Sequence, residues 1–345
     1  MKTLMAMLLL FCIAVFAKAQ TFYKSAVIGF YNLENLYDTI FHGSNDDVNF
    51  TPSGSKAYTS AVFNDKLAKL AKVISEIGIN VSPDGPAMLG IAEIENRYVL
   101  DTLLRHPLIA DRNYKYVHYN SKDFRGVDVA LVYNPKYFKV ERSRPIFVRI
   151  PAGAKETVYT RDILWVKGLL DGERINVFVN HWPSRAGGEK RSEPARIAAA
   201  TTIRTFMDSL LIIDPSAKMI VMGDLNDDPI NNSITKGLKA TGNSRSISPD
   251  DLYNPWFEMY KNGFGTLAYQ DAWSLFDQII ISSSFLDKKQ TGFFYYRHHI
   301  FKADYMIENN GRYKGYPMRS YNGDVYRGGY SDHFPTYVVL LKKVE

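Results

Sequence analysis

The sequence has a single cysteine, Cys12, in 345 residues. Cys12 lies in an apolar run near the N-terminus, and the chain beyond this run contains no thiol. A small fold held together by disulfide bonds is therefore excluded, and so is a structural zinc site built from thiolates. A metal bound by this chain has to be held by oxygen atoms or imidazole rings.

The N-terminal segment predicts export. Lys2 supplies a positive start, residues 4–16 form an apolar run, and a small-residue Ala-Lys-Ala sequence ends at Ala19. This order is typical of a secretory signal peptide, and the apolar run is short for a membrane span. We predict a signal peptide over residues 1–19 and a periplasmic or secreted protein.

The position of Cys12 allows a second interpretation, in which the exported protein is lipid-anchored. The bulky Phe11 directly before it and the apolar run that continues after it are both unfavourable for a lipidation site. We therefore favour simple cleavage.

The chain also lacks a strong charge excess. It has 42 basic and 36 acidic residues, and removal of Lys2 and Lys18 with the signal peptide would leave 40 against 36. This balance permits a polyanionic substrate without requiring one, because recognition depends on how charges cluster. The sequence has no block of like charges, no Gly/Ser linker and no repeat of fixed period. We predict one domain over residues 20–345.

Apolar stretches of strand length alternate with two helical patterns. One helix is predicted from Asn64, with Gly78 as its C-terminal cap, and another over Glu193–Leu211, with Pro194 in its first turn. This alternation predicts an α/β fold with buried sheets. The predicted strands cover residues 25–33, 87–96, 127–134, 175–182, 218–224, 275–282 and 337–341.

Polar or ionisable side chains recur where these strands begin or end. Taken singly, each has an ordinary explanation, since Asn and Asp often close strands in turns. Taken together, carboxylate and amide oxygens without a thiolate favour Mg²⁺ or Mn²⁺ over structural zinc. The candidate oxygen donors are Asn32, Glu34, Glu93, Asp224, Asn226 and Asp332.

Two histidines, His181 and His333, also adjoin strand ends. Imidazole titrates near neutral pH, so the pair supplies a candidate general acid and general base, and Asp277 would orient one of them. A metal, a base and an acid are what hydrolysis of a phosphate ester requires. The residues alone therefore predict metal-dependent phosphoester hydrolysis.

Seven motifs occur in the order found in the endonuclease/exonuclease/phosphatase superfamily, which the chain resembles from Ser25 to Leu341. Each motif lies at a predicted strand end, and the ordered set is far more specific than any single motif. The resemblance implies a four-layer sandwich, in which two packed mixed β-sheets are flanked by helices and the active site lies across one edge of the sheets. The motifs are FYNLEN, GIAEIEN, RGVDVALVYNP, VNHWPSR, MGDLNDDP, FDQIIIS and YSDHFP.

The resemblance also implies roles for the matching positions. In the metal site Glu93 is the principal ligand, and the other matching positions are Asn32 and Asp332. Glu34 is assigned to the metal as a neighbouring oxygen donor, not through the resemblance. Asp224 and Asn226 match the pair that holds the scissile phosphate and the attacking water. Asp277 and His333 match the carboxylate–imidazole dyad beside it, and His181 matches the histidine near the leaving group. Either His333 or Asp224 takes the proton of the water.

The motifs most resemble those of secreted bacterial nucleases, so nucleic acid is the substrate we expect. Basic side chains flank two of the motifs, where they can meet backbone phosphates. A phosphatase or phosphodiesterase acting on small or lipid phosphoesters is the alternative. A non-catalytic binding protein is a third, which the intact catalytic positions disfavour. The predicted substrate contacts are Arg125, Asp128, Arg185 and Arg191.

The segment between the last two motifs, residues 293–330, is rich in basic and aromatic residues. It carries six Lys or Arg, three Asp or Glu, and eight Tyr. Interleaved basic and aromatic side chains are typical of surfaces that stack single-stranded nucleic acid. The same composition also occurs in irregular surface loops, and such a loop could equally recognise a lipid headgroup or a sugar phosphate.

Overall fold

The computed structural model describes residues 22–151 and 159–344. The predicted signal peptide lies outside these residues, so its cleavage and the export of the protein stay predictions. Within the described ranges, no helix combines the length and the apolar character that crossing a membrane requires.

Two large sheets form the centre of the structure. In order of hydrogen bonding, the first sheet consists of β14 (Phe294–Ile300), β17 (Thr336–Lys343), β1 (Tyr23–Leu36), β2 (Met88–Ile94), β4 (Asp128–Tyr133) and β3 (Lys115–His118). The second consists of β5 (Phe138–Ile146), β6 (Ile163–Leu170), β7 (Glu173–His181), β8 (Lys218–Asp224), β13 (Asp277–Ser282), β10 (Leu252–Tyr253) and β9 (Ala240–Thr241). Both sheets are mixed, because β1 and β2, like β7 and β8, are parallel among antiparallel neighbours.

Helices and short strands complete the described structure. The helices are α1 (Ser60–Glu76), α2 (Arg97–Leu104), α3 (Glu189–Ile213) and α4 (Phe257–Lys261). Two small hairpins are formed by β11 (Leu267–Tyr269) with β12 (Ala272–Ser274), and by β15 (Tyr321–Asn322) with β16 (Val325–Tyr326). Short 3₁₀ turns cover Asp47–Phe50, Ala110–Arg112, Ser283–Phe285 and Asp304–Met306, and a π turn covers Ser233–Gly237.

Alternating side chains in the central strands sort the core into layers. In β1, Ile28 packs between the two sheets, whereas Val27 packs on the opposite face with the apolar side chains of α1 and α2. In β8, Met222 packs between the sheets and Val221 faces α3. Because successive side chains of a strand point to opposite faces, each sheet contributes to two apolar layers. The predicted four-layer α/β sandwich is confirmed.

The topology brings the motif-bearing strand ends to one edge of the sandwich. Parallel pairing of β7 with β8 places His181 opposite Asp224, and antiparallel pairing of β13 with β8 places Asp277 opposite the same residue. In the first sheet, β17 is antiparallel to β1, with Thr336 opposite Phe30. The residues just before β17 therefore lie beside the end of β1.

The end of α1 agrees with the sequence prediction. Gly78 follows the helix with a φ of 70°, in the left-handed region that glycine adopts after a helix. A Cβ at this position would also lie 2.6 Å from Val27 Cγ1. Both observations explain why the helix ends at a glycine.

The start of α3 corrects the sequence prediction. The helix begins at Glu189, one turn before the predicted Glu193, so Pro194 lies inside it rather than in its first turn. The earlier turn is held by Arg196, which donates to Ser192 Oγ at 2.7 Å and to the Glu189 carbonyl at 3.0 Å. At this sixth helical position the proline cannot donate to the Lys190 carbonyl, a loss that a proline in the first turn would not cause.

Candidate active site

The backbone leaves regular strand geometry at the motifs of this edge. β2 shifts its register with both neighbouring strands around Glu93, which has a φ of 62°. Glu34, Asn35 and Asn226 also have φ values between 49° and 56°. Residues other than glycine adopt this conformation at a cost of about 1 kcal/mol or more, and such strain clusters at functional sites. The bulge turns the Glu93 side chain out of the regular strand alternation.

Asp224 lies at the centre of the gathered side chains. Asn32 Nδ2 donates to Asp224 Oδ2 at 3.0 Å, and the Asn226 backbone N–H donates to Asp224 Oδ1 at 3.0 Å. The same Oδ2 lies 3.7 Å from His181 Nε2 and 3.9 Å from His333 Nε2. Burial raises the pKa of Asp224 to about 6, although His333 opposes the shift. All five residues were predicted catalytic or metal-site positions.

His333 and Asp277 make the contact expected of a dyad. His333 Nδ1 donates to Asp277 Oδ2 at 2.7 Å, and Thr266 Oγ1 donates to the same oxygen. Burial alone would lower the pKa of His333, but Asp277 and Asp224 together raise it well above its usual value. In the metal-free protein His333 is therefore an imidazolium, held by Asp277 on one side and facing Asp224 on the other.

In contrast to His333, His181 is a neutral imidazole. Burial, and then the charge of Arg161, lower the pKa of His181 well below its usual value. His181 Nε2 lies 3.7 Å from Glu93 Oε1, and its Nδ1 has no hydrogen-bond partner among the described residues. Arg161 also donates to the carbonyl oxygens of His181 and Trp182. The edge thus combines one cationic and one neutral imidazole.

Glu93 is kept ionised by a neighbouring arginine. Burial would raise the pKa of Glu93, but the charge of Arg125 holds it well below its usual range. Arg125 Nη1 donates to Glu93 Oε1 at 3.3 Å, and Arg125 also donates to Asn35 and Asp46. The guanidinium that we predicted to contact substrate is therefore directed at Glu93.

Residues 27–342 match the sequence model of the Endonuclease/Exonuclease/phosphatase family. The chain belongs to this family. Its members are typically metal-dependent phosphoesterases. Among curated proteins, none matches the sequence.

Solved structures with the family fold align with nearly the whole chain. An endonuclease/exonuclease/phosphatase family protein from Bacteroides thetaiotaomicron is 16% identical, with a TM-score of 0.57 and coverage of 94% of this chain and 97% of that one. The mannosyl-6-phosphatase Bt3783 of the same organism is 16% identical, with a TM-score of 0.55 and coverage of 93% and 100%. D. rerio TDP2 complexed with single strand DNA product is 14% identical, with a TM-score of 0.52 and coverage of 92% and 99%. At these identities the similarity shows the fold alone.

Two of the predicted metal-site acids have partners inside the protein. Glu34 Oε2 accepts from the Ser320 backbone N–H at 2.6 Å, and the buried Lys66 donates to the Glu34 carbonyl and to Ser320 Oγ. Burial and the nearby Asp332 raise the pKa of Glu34 to about 7. Asp332 is half-buried, and its Oδ2 lies 2.9 Å from Arg319 Nη2. Their roles as ligands stay predictions.

The donor chemistry of this edge fits the divalent metal that family members typically use. Glu93 is ionised, and Asn32 and Asp332 add further oxygens at the neighbouring ends of β1 and β17. These three residues would hold the ion. Hard oxygen donors favour Mg²⁺ or Mn²⁺. When bound, such an ion supplies charge that stabilises a phosphate oxygen.

The other predicted substrate contacts separate into paired and exposed side chains. Arg185 Nη2 donates to Asp228 Oδ2 at 3.1 Å, which neutralises much of its charge. Asp128 is buried, where it accepts from the Ser121 backbone N–H and lies 3.3 Å from His118 Nε2. Of the four predicted contacts, only Arg191 has an exposed side chain. Substrate binding by these residues stays a prediction.

An aromatic wall, formed by Trp273, Tyr316 and Phe334, stands beside the dyad. Phe334 directly follows His333, and its ring stacks on Trp273 with centroids 6.2 Å apart. The Tyr316 ring meets the Trp273 ring edge-on with centroids 5.9 Å apart, and exposed Lys302 lies 5.5 Å from the Trp273 centroid. Trp273 is half-buried and belongs to β12. Because Phe334 is buried, the accessible part of the wall consists of Trp273 and Tyr316, with Lys302 beside them.

Sequence reasoning missed three residues that shape this edge. Trp273 carried a usable signal, because it lies four residues before Asp277 in the FDQIIIS motif. Arg161 and Thr266 carried none, since neither belongs to a motif. They are linked to His181 and Asp277 by contacts that only the folded chain reveals.

Proposed function

We propose that this protein is an exported, Mg²⁺- or Mn²⁺-dependent phosphodiester hydrolase that cleaves DNA or RNA. The observation that carries the proposal is the meeting of Glu93, Asp224 and His333 at one edge of the two sheets. An ionised carboxylate, a buried proton acceptor and an imidazolium are the groups that attack of water on a phosphate diester requires.

The hydrogen bonds of this edge define what each side chain contributes. Asn32 and Asn226 fix the Asp224 carboxylate, which is thereby oriented to hold the attacking water. Asp224 is placed to take the proton of that water, and His333 could take it only as a neutral imidazole. Asp277 holds His333 through Nδ1, which leaves Nε2 free to stabilise charge on a phosphate oxygen.

The aromatic wall supports nucleic acid as the substrate. Bases stack on aromatic side chains whatever their sequence, and a nearby cation such as Lys302 suits the adjoining phosphate. Tyr316 and Lys302 come from the segment 293–330, for which the sequence left open both a stacking surface and an ordinary surface loop. The TDP2 structure of the same fold was solved with a single strand DNA product.

Replacement of Trp273 by alanine tests this substrate assignment. We expect KM for single-stranded DNA to rise on the order of 10-fold, because a base loses its stacking partner. Hydrolysis of a small phosphate diester, which has no base to stack, should change by less than about 2-fold. The measurement is KM and kcat for both substrates under the same metal conditions.

Tyr296 provides the matched control for this experiment. It is an exposed aromatic residue at the bulge of β14, opposite Leu340 and Val339 and far along the strand from His333. Tyr296→Ala should leave both substrates unaffected. Equal losses on DNA and on the small diester in Trp273→Ala would show that the residue supports only the dyad.

One observation favours a small or lipid phosphoester as the second candidate substrate. Arg125, Arg161 and Arg185 are each paired with carboxylates of the protein, which reduces the positive charge available to a polymer backbone. The phosphatase from Bacteroides thetaiotaomicron has the same fold.

If the polymer assignment is right, DNA affinity should fall steeply as salt rises, whereas the affinity for a small phosphoester should respond weakly.

A further inference from the structure

A second group of ionisable side chains lies near the ends of β1 and β2, outside the candidate active site. Asp38, His42 and Glu95 each offer a ligand atom within 4.8 Å of the others. Asp38 Oδ2 lies 3.0 Å from His42 Nε2, and the Asp38 backbone N–H donates to Glu95 Oε2 at 2.8 Å. Asp47 joins them, because its Oδ2 accepts from the backbone N–H groups of His42 and Gly43. We call these four residues the Asp38 cluster.

The Asp38 cluster gathers three buried carboxyl groups whose only ionisable basic partner among the described residues is His42. Asp38, Asp47 and Glu95 are all buried, and none forms an ion pair with a lysine or arginine of the described chain. Asn96 Nδ2 donates to Asp38 Oδ2 at 3.0 Å and to Glu95 Oε2 at 3.1 Å, but a neutral amide does not balance charge. Burial of uncompensated carboxylates costs several kcal/mol. A bound cation would remove this cost.

Two carboxylate oxygens of the cluster are independent indicators of a ligand. Glu95 is only 8% exposed and Asp47 is fully buried. Nevertheless, Glu95 Oε1 and Asp47 Oδ1 have no hydrogen-bond partner among the residues that the structure describes. Buried side-chain oxygens are nearly always satisfied. Coordination of a cation would satisfy Glu95 Oε1, which belongs to the three-residue ligand set.

We propose that Asp38, His42 and Glu95 bind a divalent cation of the transition metals that accept imidazole, such as Zn²⁺, separate from the ion of the active site. An imidazole together with carboxylates favours these ions over Mg²⁺ and Ca²⁺, which prefer oxygen ligands alone. The His42 side chain is 48% exposed, so the ion has a path from solvent to the buried carboxylates.

The position of the cluster gives this cation a structural role. The segment from Tyr37 to Ser44 is tied to Arg125, because Tyr37 Oη and Ser44 Oγ both donate to the Arg125 carbonyl. Arg125 in turn contacts Glu93. An ion joining Asp38 and His42 to Glu95 would therefore fix the loop that supports the Arg125–Glu93 contact.

Zinc binding to metal-free protein tests the proposal without any activity measurement. In the Glu93→Gln variant, whose active-site metal binding is weakened, we expect one tightly held Zn²⁺ per chain. Adding His42→Ala should weaken this binding at least about 10-fold, since loss of even an indirect metal partner has that effect. Co²⁺ should give a visible absorption band with His42 present and lose it without His42. His106→Ala, at a half-buried histidine after α2, is the matched control and should change nothing.

The alternative is that the buried carboxylates share a proton and bind no metal. Equal zinc affinity with and without His42, or no tightly held zinc in any variant, would overturn the proposal. Asp38→Asn provides a second variant, because it removes a ligand charge but keeps the size of the side chain. If His42→Ala does not fold, loss of zinc in Asp38→Asn supports the site and unchanged zinc overturns it.

Discussion

Replacing His333 with alanine should lower kcat on the order of 10²-fold or more. A positioned proton-transfer group is worth that much, and His333 Nε2 is the imidazole nitrogen that faces Asp224. The variant should also lose stability, because Asp277 is fully buried and keeps only the Thr266 hydroxyl as a side-chain partner. kcat should therefore be measured well below the unfolding temperature of the variant.

The Asp277→Asn change separates a working dyad from two independent residues. Asp277 contacts His333 Nδ1 at 2.7 Å, so most of its effect on catalysis should pass through that imidazole. We expect Asp277→Asn to cause a loss no larger than that of His333→Ala, and the double variant to be little worse than His333→Ala. The double variant should also be more stable than His333→Ala, because it no longer buries an unpaired carboxylate. Fully multiplicative losses of kcat would contradict the dyad.

Replacing Asp224 with asparagine should lower kcat about 10³-fold or more and, in the metal-free protein, increase stability. Burial raises the pKa of Asp224 from 3.8 to about 6, so its ionised form costs stability on the order of 1–3 kcal/mol. This cost is absent below pH 4, grows as the pH rises, and is complete above about pH 6. The variant should therefore gain no free energy of unfolding at pH 4, and its gain should grow with pH and be complete above about pH 6. The measurement is denaturant unfolding with chelator at pH 4 and pH 7.

Asp227 is the matched control for this prediction. It is buried three residues further along the chain and lies 2.7 Å from Arg196 Nε, where its charge is paired. Asp227→Asn should reduce stability, because it leaves a buried arginine without its full counter-charge. If Asp224→Asn were also destabilising at pH 7, Asp224 would be a structural turn residue.

The layers of the sandwich followed from the resemblance to the family, whereas local sequence signals were sufficient for its polar edge. The apolar runs of β1 and β8 and the polar residues at their ends are visible within a few residues. Asn32, Glu93 and Asp224 could therefore be placed near strand ends without coordinates. The bulge at Glu93 could not be foreseen, since it depends on register with two neighbouring strands.

Partners distant in sequence were the part that could not be predicted. From the sequence, Arg185 and Arg125 are expected to be surface charges, yet both are half-buried, and their carboxylate partners Asp228 and Glu93 lie 43 and 32 positions away. The segment 293–330 shows the same difficulty. It begins with strand β14 rather than a loop, and Tyr321 is buried, so its composition alone does not show which tyrosines face a substrate.

The measurement that most directly tests the central claim is hydrolysis by the purified protein with Mg²⁺ or with excess chelator. The substrates are plasmid, single-stranded DNA, RNA, inositol phosphates and phospholipids, and Glu93→Gln is assayed beside the wild type. We predict that Mg²⁺ supports cleavage of at least one nucleic acid, that chelator abolishes it, and that Glu93→Gln loses rate and metal response together. Full activity of the wild-type protein in excess chelator would contradict the account.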